Sequence, residues 1–228
     1  MIWIWRLKIK MKRTMRAGKV LFLMLCLCAM GLTACGEKTQ TQEGESESTV
    51  SSISVNKDGS ISSRIVEDFA ESYYDAGGLK SMIESAIADY KAEDSTAQIT
   101  LKSCKAGDGN VNVLIEFADY KSYSGFNGEN FFAGTIQAAN QAGFDLNVTL
   151  QAASEKSEKT SVSKPELLGM GDSNIVILET GQTDGEGTQK IRVNCFGDIL
   201  YVGDGVTTVG KKSADVAFTG GYGIIVFK

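Results

Sequence analysis

Histidine does not occur in this 228-residue chain, proline occurs once (Pro165), and both tryptophans, Trp3 and Trp5, fall within the first five residues. Without imidazole, Ser-His and Cys-His nucleophile arrangements are excluded, as are metal sites built on histidine alone or on mixed Cys/His ligands. Cysteine is sparse as well: Cys26, Cys28 and Cys35 lie near the start, which leaves only Cys104 and Cys195 beyond them. Two cysteines fall far short of a disulfide framework. They either form one bridge, closing a loop of about 90 residues, or stand apart as small buried hydrophobes at strand positions, and the low count favours the second reading. Negative charge is missing from the first 36 residues, where no carboxylate precedes Glu37. The apolar run at residues 20–34 is fifteen residues long, whereas a membrane-spanning helix needs about 20.

What is present at the start has an order. Seven cations (Arg6, Lys8, Lys10, Lys12, Arg13, Arg16 and Lys19) precede the apolar run, which closes on Leu32-Thr33-Ala34-Cys35 and then Gly36. A basic segment, a short apolar segment and a small-residue site in that sequence describe a secretory signal. Leu32-Thr33-Ala34-Cys35 resembles the lipobox of bacterial lipoproteins. The resemblance implies that residues 1–34 are a lipoprotein signal peptide cleaved between Ala34 and Cys35, with a diacylglyceryl group on the Cys35 thiol. Translation from Met11 or Met15 instead of Met1 would leave this arrangement intact. One acyl chain binds a membrane marginally and two anchor it stably, so the expected location is the outer face of the cell membrane, with the lipid on Cys35 as the membrane contact.

The chain from Cys35 onward is acidic. With seven of the 23 cations in the leader, sixteen remain against all 28 carboxylates, a formal net charge of −12. That balance argues against nucleic-acid binding, which favours basic patches. Residues 35–49 contain no aromatic or branched aliphatic side chain and read as an acidic flexible tether, with a reach of roughly 20 Å.

Folded structure is expected from Val50. Ile53 and Val55 alternate with Ser52 and Ser54, Asn56-Lys57-Asp58-Gly59 supplies turn chemistry, and Ile61, Ile65 and Val66 lie on the return strand, which predicts a hairpin. Leu79, Met82, Ile83, Ala86, Ile87 and Tyr90 form one helical stripe, approached through Gly77-Gly78. A second hairpin is expected over residues 98–117 with its loop at 105–110. A second helix is expected on Phe131, Phe132, Thr135, Ile136 and Ala139, stopping at Gly143, followed by a strand at 144–150. These predict an α+β domain over residues 50–153, an antiparallel sheet with two helices on one face. A polar linker is expected at 154–173, and a small all-β segment, strands separated by glycine-rich turns, at 174–228 packed on the preceding domain.

Candidate chemistry beyond Cys35 is thin. Gly169-Met170-Gly171 and Gly220-Gly221-Tyr222-Gly223 lack the spacing and the strand-to-helix context of phosphate-binding loops and read as tight turns. Asp184, Glu186 and Asp204 lack Ca²⁺-loop spacing. Tyr120, Tyr123, Phe126, Phe131 and Phe132 form either core or a stacking platform, and their helical spacing favours core. Of the neighbours Tyr73 and Tyr74, only one can point inward on a helix. No catalytic, cofactor-binding or metal-binding residue is nominated. The expected function is therefore a lipid-anchored extracytoplasmic binding or accessory module of the cell envelope, with an envelope protein as its expected partner and no catalytic activity. The alternatives are a carboxylate-dependent enzyme such as a glycosidase and a small solute-binding lipoprotein. As a whole, the ectodomain resembles the small lipoproteins of Gram-positive anaerobes.

Overall fold

The first structured feature is the turn the sequence advertises. Strands β1 (Ser52–Val55) and β2 (Ile61–Asp68) pair antiparallel across it. Asp58 fixes the turn by accepting from both the backbone N–H and the hydroxyl of Ser60, at 3.0 and 2.7 Å. The computed structural model describes residues 50–72, 74–153, 160–181 and 189–228, and residues Val50–Lys228 form one compact unit. The expected leader, the lipidation site at Cys35, the whole tether, and Tyr73, Asp184 and Glu186 lie outside the described residues.

Helix α1 (Ala76–Glu93) buries Leu79, Ile83 and Ile87 and packs on β3 (Ile99–Gly107). Gly77 and Gly78 lie inside its first turn, not before it. There the Asp75 carboxylate caps both of their N–H groups, at 3.0 and 2.9 Å. A Cβ on Gly78 would sit 2.8 Å from that carboxylate, so glycine leaves room for the cap. Tyr74 precedes the helix and stacks on Phe69. Strand β3 turns into β4 (Asn110–Phe117) through two residues instead of the expected six. Asp108 and Gly109 both take positive φ, 51° and 76°, the mirror-image turn that tight hairpins favour and that Asp-Gly tolerates.

The next stretch departs most from expectation. A helix, α2 (Tyr120–Asn127), precedes the phenylalanine pair, capped by Asp119 and ended by Gly128. Phe131 and Phe132 then belong to strand β5 (Phe131–Thr135), and only residues Ile136–Gln141 form the following helix, α3. Consecutive side chains that are both buried require opposite faces, which a strand supplies and a helix does not. Phe131 meets Tyr123, whereas Phe132 meets Tyr120 and Phe144. Gly143, at φ 86°, does terminate α3. The Phe144 N–H reaches the Ala139 carbonyl and the Gly143 N–H the Asn140 carbonyl, the paired pattern of a glycine-terminated helix.

Residues 144–147 are not strand; Asp145 holds them in a turn through Asn147. Strand β6 begins at Val148 (Val148–Ala152). The described part of the expected linker, residues 160–173, is also structured. It contains β7 (Thr160–Val162) and helix α4 (Lys164–Leu168), where Glu166 accepts from the Ser163 N–H and hydroxyl, Pro165 sits in the first turn, and Leu167 is wholly buried. Proline is tolerated there because a first-turn N–H has no helical partner.

Strands β8 (Asn174–Glu179), β9 (Lys190–Cys195), β10 (Ile199–Val202), β11 (Val206–Thr208), β12 (Ser213–Ala217) and β13 (Tyr222–Phe227) complete the fold. They do not form a separate segment packed on a preceding domain, because strand pairing crosses the expected boundary. The described residues form a mixed α/β structure, mostly β, with four helices and two mostly antiparallel sheets. One sheet is seven-stranded, ordered β11-β12-β9-β1-β2-β4-β3, and the other six-stranded, ordered β5-β8-β13-β10-β6-β7. The pairing of β1 with β9 is parallel.

In the six-stranded sheet, Ile175, Val176, Ile177 and Leu178 are all buried, as a strand covered on both faces requires. One face packs with α3, α4 and the 144–147 turn through Phe132, Ile177, Ile136 and Leu167. The other presents Phe131 to Tyr123 of α2, which in turn meets Phe117 of the seven-stranded sheet, with ring centroids 4.7 and 5.2 Å apart.

Candidate functional site

Alternation decides what the seven-stranded sheet offers outward. Inward, Ile53, Ile61, Ile115, Phe117, Val193 and Ala214 are buried at 2 % exposure or less. The opposite face is therefore built from the residues between them, and register aligns these into two cross-strand rows. One row runs Asp215, Arg192, Ser52, Arg64 and Leu114; the other runs Ser213, Asn194, Ser54, Ser62, Glu116 and Thr100.

Side-chain hydrogen bonds hold these rows in place. Ser213 donates to the Asn194 carbonyl at 2.8 Å and the Asn194 amide to the Ser54 hydroxyl at 3.2 Å. Arg192 grips Asp215 through Nε and Nη2, at 2.8 and 3.2 Å, and this hydrogen bonding raises the guanidinium pKa further. Arg64 donates to Asn112 at 3.0 Å, and Lys102, at a bulge in β3, meets Glu116 at 3.0 Å. Ser52, on this outward face, is only 6 % exposed; its two cross-strand neighbours are Arg64 and Arg192. Long arginine stems cover a small residue between them.

A second feature is concave. An open cleft of about 580 Å³ lies beside β10, lined by Ile199, Leu200, Tyr201, Thr208, Asp198 and Lys211 among others. It combines apolar surface with two opposite charges, and Leu200 is one of the exposed large hydrophobic residues.

The other sequence candidates fall to structural roles. Gly169 and Gly171 end α4, and Gly220 and Gly221 turn into β13. Asp204 lies in the turn between β10 and β11. Tyr123, Phe126, Phe131 and Phe132 are buried core, and burial together with Glu129 pushes the Tyr123 hydroxyl pKa well up. Cys104 and Cys195 are free thiols. They lie on strands four positions apart in one sheet, about 19 Å at ~4.8 Å per strand, far outside the ~7 Å Cα limit for a bridge. Burial raises the Cys195 thiol to about 12.

The structure brings Arg64 and Arg192 to either side of Ser52, which sequence reasoning missed. The Ser52/Ser54 alternation signals an outward polar face, but residues 140 positions apart can be aligned only through the parallel β1–β9 pairing. Among the described residues, no cluster of three or more Cys, Asp or Glu side chains is placed to hold a metal, and no helix is long and apolar enough to cross a membrane. Compared with known families, curated proteins and solved structures, the chain matches none.

Proposed function

We propose that this chain is a lipid-anchored extracytoplasmic protein of the bacterial cell envelope, acting as a binding or accessory module without catalytic activity. The observation that carries the reading is the ordered start: seven cations, a fifteen-residue apolar run, then Leu32-Thr33-Ala34-Cys35. The compact unit supports it by beginning at Val50, so a polar stretch of fourteen residues separates the folded body from Cys35. The broad outward face of the seven-stranded sheet supports a binding role, because its polar groups are fixed by their neighbours before any ligand arrives.

Metabolic labelling with an alkyne fatty acid tests this in a bacterial host. The native chain incorporates label and partitions with membranes, and Cys35→Ser abolishes both. Equal labelling and membrane retention of the two chains would remove the basis for the proposal.

A further inference from the structure

The outward face of the seven-stranded sheet differs in charge from the body that carries it. Residues 50–228 hold fifteen Lys and Arg against twenty-four Asp and Glu. On this face the balance reverses. Strand alternation and the Lys102–Glu116 contact place Arg64, Lys102, Lys105, Lys190 and Arg192 there, against Asp68, Glu116 and Asp215. Within a Debye length of about 8 Å at physiological salt, a ligand responds to this local surplus more than to distant acidic groups.

Shape and chemistry narrow the ligand. From β12 to β3 the face crosses five strand spacings, about 24 Å at ~4.8 Å each, so it suits an extended chain better than a compact molecule. Its fixed hydroxyl and amide groups (Ser54, Ser62, Ser213 and Asn194) offer hydrogen bonds in both senses. Within its strands Leu114 and Val66 are the large apolar members and both are half-buried, with exposed Val50 and Val209 only at its margins, so it lacks the apolar centre of a protein–protein interface.

We infer that this sheet face is a docking surface for a strand of carboxylate-bearing polysaccharide, its acid groups meeting the cations around Ser52 and its hydroxyls meeting the Ser and Asn row. This deepens the binding-module reading and rests on it for location alone, since the ligand would be a component of the envelope outside the cell.

The test uses the full-length protein in detergent, with polygalacturonate fragments as the probe, neutral dextran and polyglutamate as comparisons, and binding measured at several salt concentrations. Binding to polygalacturonate that weakens with salt and exceeds binding to both comparisons at least tenfold is expected. Lys102→Gln/Lys105→Gln and Arg64→Gln/Arg192→Gln should each reduce it at least fivefold, while Lys80→Gln/Lys91→Gln on α1 leaves it unchanged. Should the arginine pair fail to fold, the exposed lysine pair decides. No binding, equal binding to dextran or polyglutamate, or indifference to the lysine pair would overturn the inference. Acyl labelling of Cys35 is read separately, so loss of one result leaves the other standing.

Discussion

Two positions show how much a single residue decides. A Cβ on Gly125 would land on the Tyr90 hydroxyl, where Tyr90 also meets Phe126 edge to face at 5.7 Å. Gly125→Ala therefore displaces the end of the half-buried Tyr90 ring. The loss of its contact with Phe126, about 0.5–1.5 kcal/mol, is set against the roughly 1 kcal/mol that Ala gains over Gly within a helix, so urea unfolding should show a net change under about 1 kcal/mol. Cys195 gives a pH signature. Burial raises its pKa from 9.0 to about 12, so the folded chain keeps a proton that the unfolded chain releases. Stability from this group is complete below pH 9 and declines as pH rises toward 12. Unfolding free energies measured at pH 8 and pH 10 should fall less steeply in Cys195→Ala than in the native chain, and an identical slope would contradict the burial argument.

At the scale of elements, local chemistry was legible wherever one residue type has one use. Asn56 through Gly59 announces a turn, and the α1 stripe from Leu79 to Tyr90 announces a helix whose buried face is Leu79, Ile83 and Ile87. Asp75→Ala removes the cap of α1 and should cost about 1 kcal/mol, read as a lower thermal midpoint with the same folded circular dichroism. Phe131 and Phe132 were misread because their spacing with Thr135, Ile136 and Ala139 fits a helix, while burial on two faces is visible only after β5 finds β8. The region around Pro165 was misread as linker for a related reason: a polar run hides the Ser163–Glu166 capping pair and a buried Leu167.

At the scale of the whole molecule, pairing is what the sequence does not display. Parallel contact between β1 and β9 joins residues 52–55 to 192–195, which merges the expected α+β domain and β segment into one unit and assembles the outward cationic face. Ile53 is wholly buried at this junction. Ile53→Ala should cost about 2–5 kcal/mol and lower stability in a single transition seen alike by tyrosine fluorescence and far-ultraviolet circular dichroism. Two separated transitions would show that the two halves fold independently. No such global pairing is needed to read the proposed anchor, whose motif is linear in the chain.

The proposed anchor is most directly tested by mass spectrometry of the amino-terminal peptide from protein isolated from bacterial membranes. After tryptic digestion, a peptide Cys35-Gly36-Glu37-Lys38 bearing a diacylglyceryl group on sulfur is the expected result. An unmodified Cys35 still joined to Ala34 would contradict it.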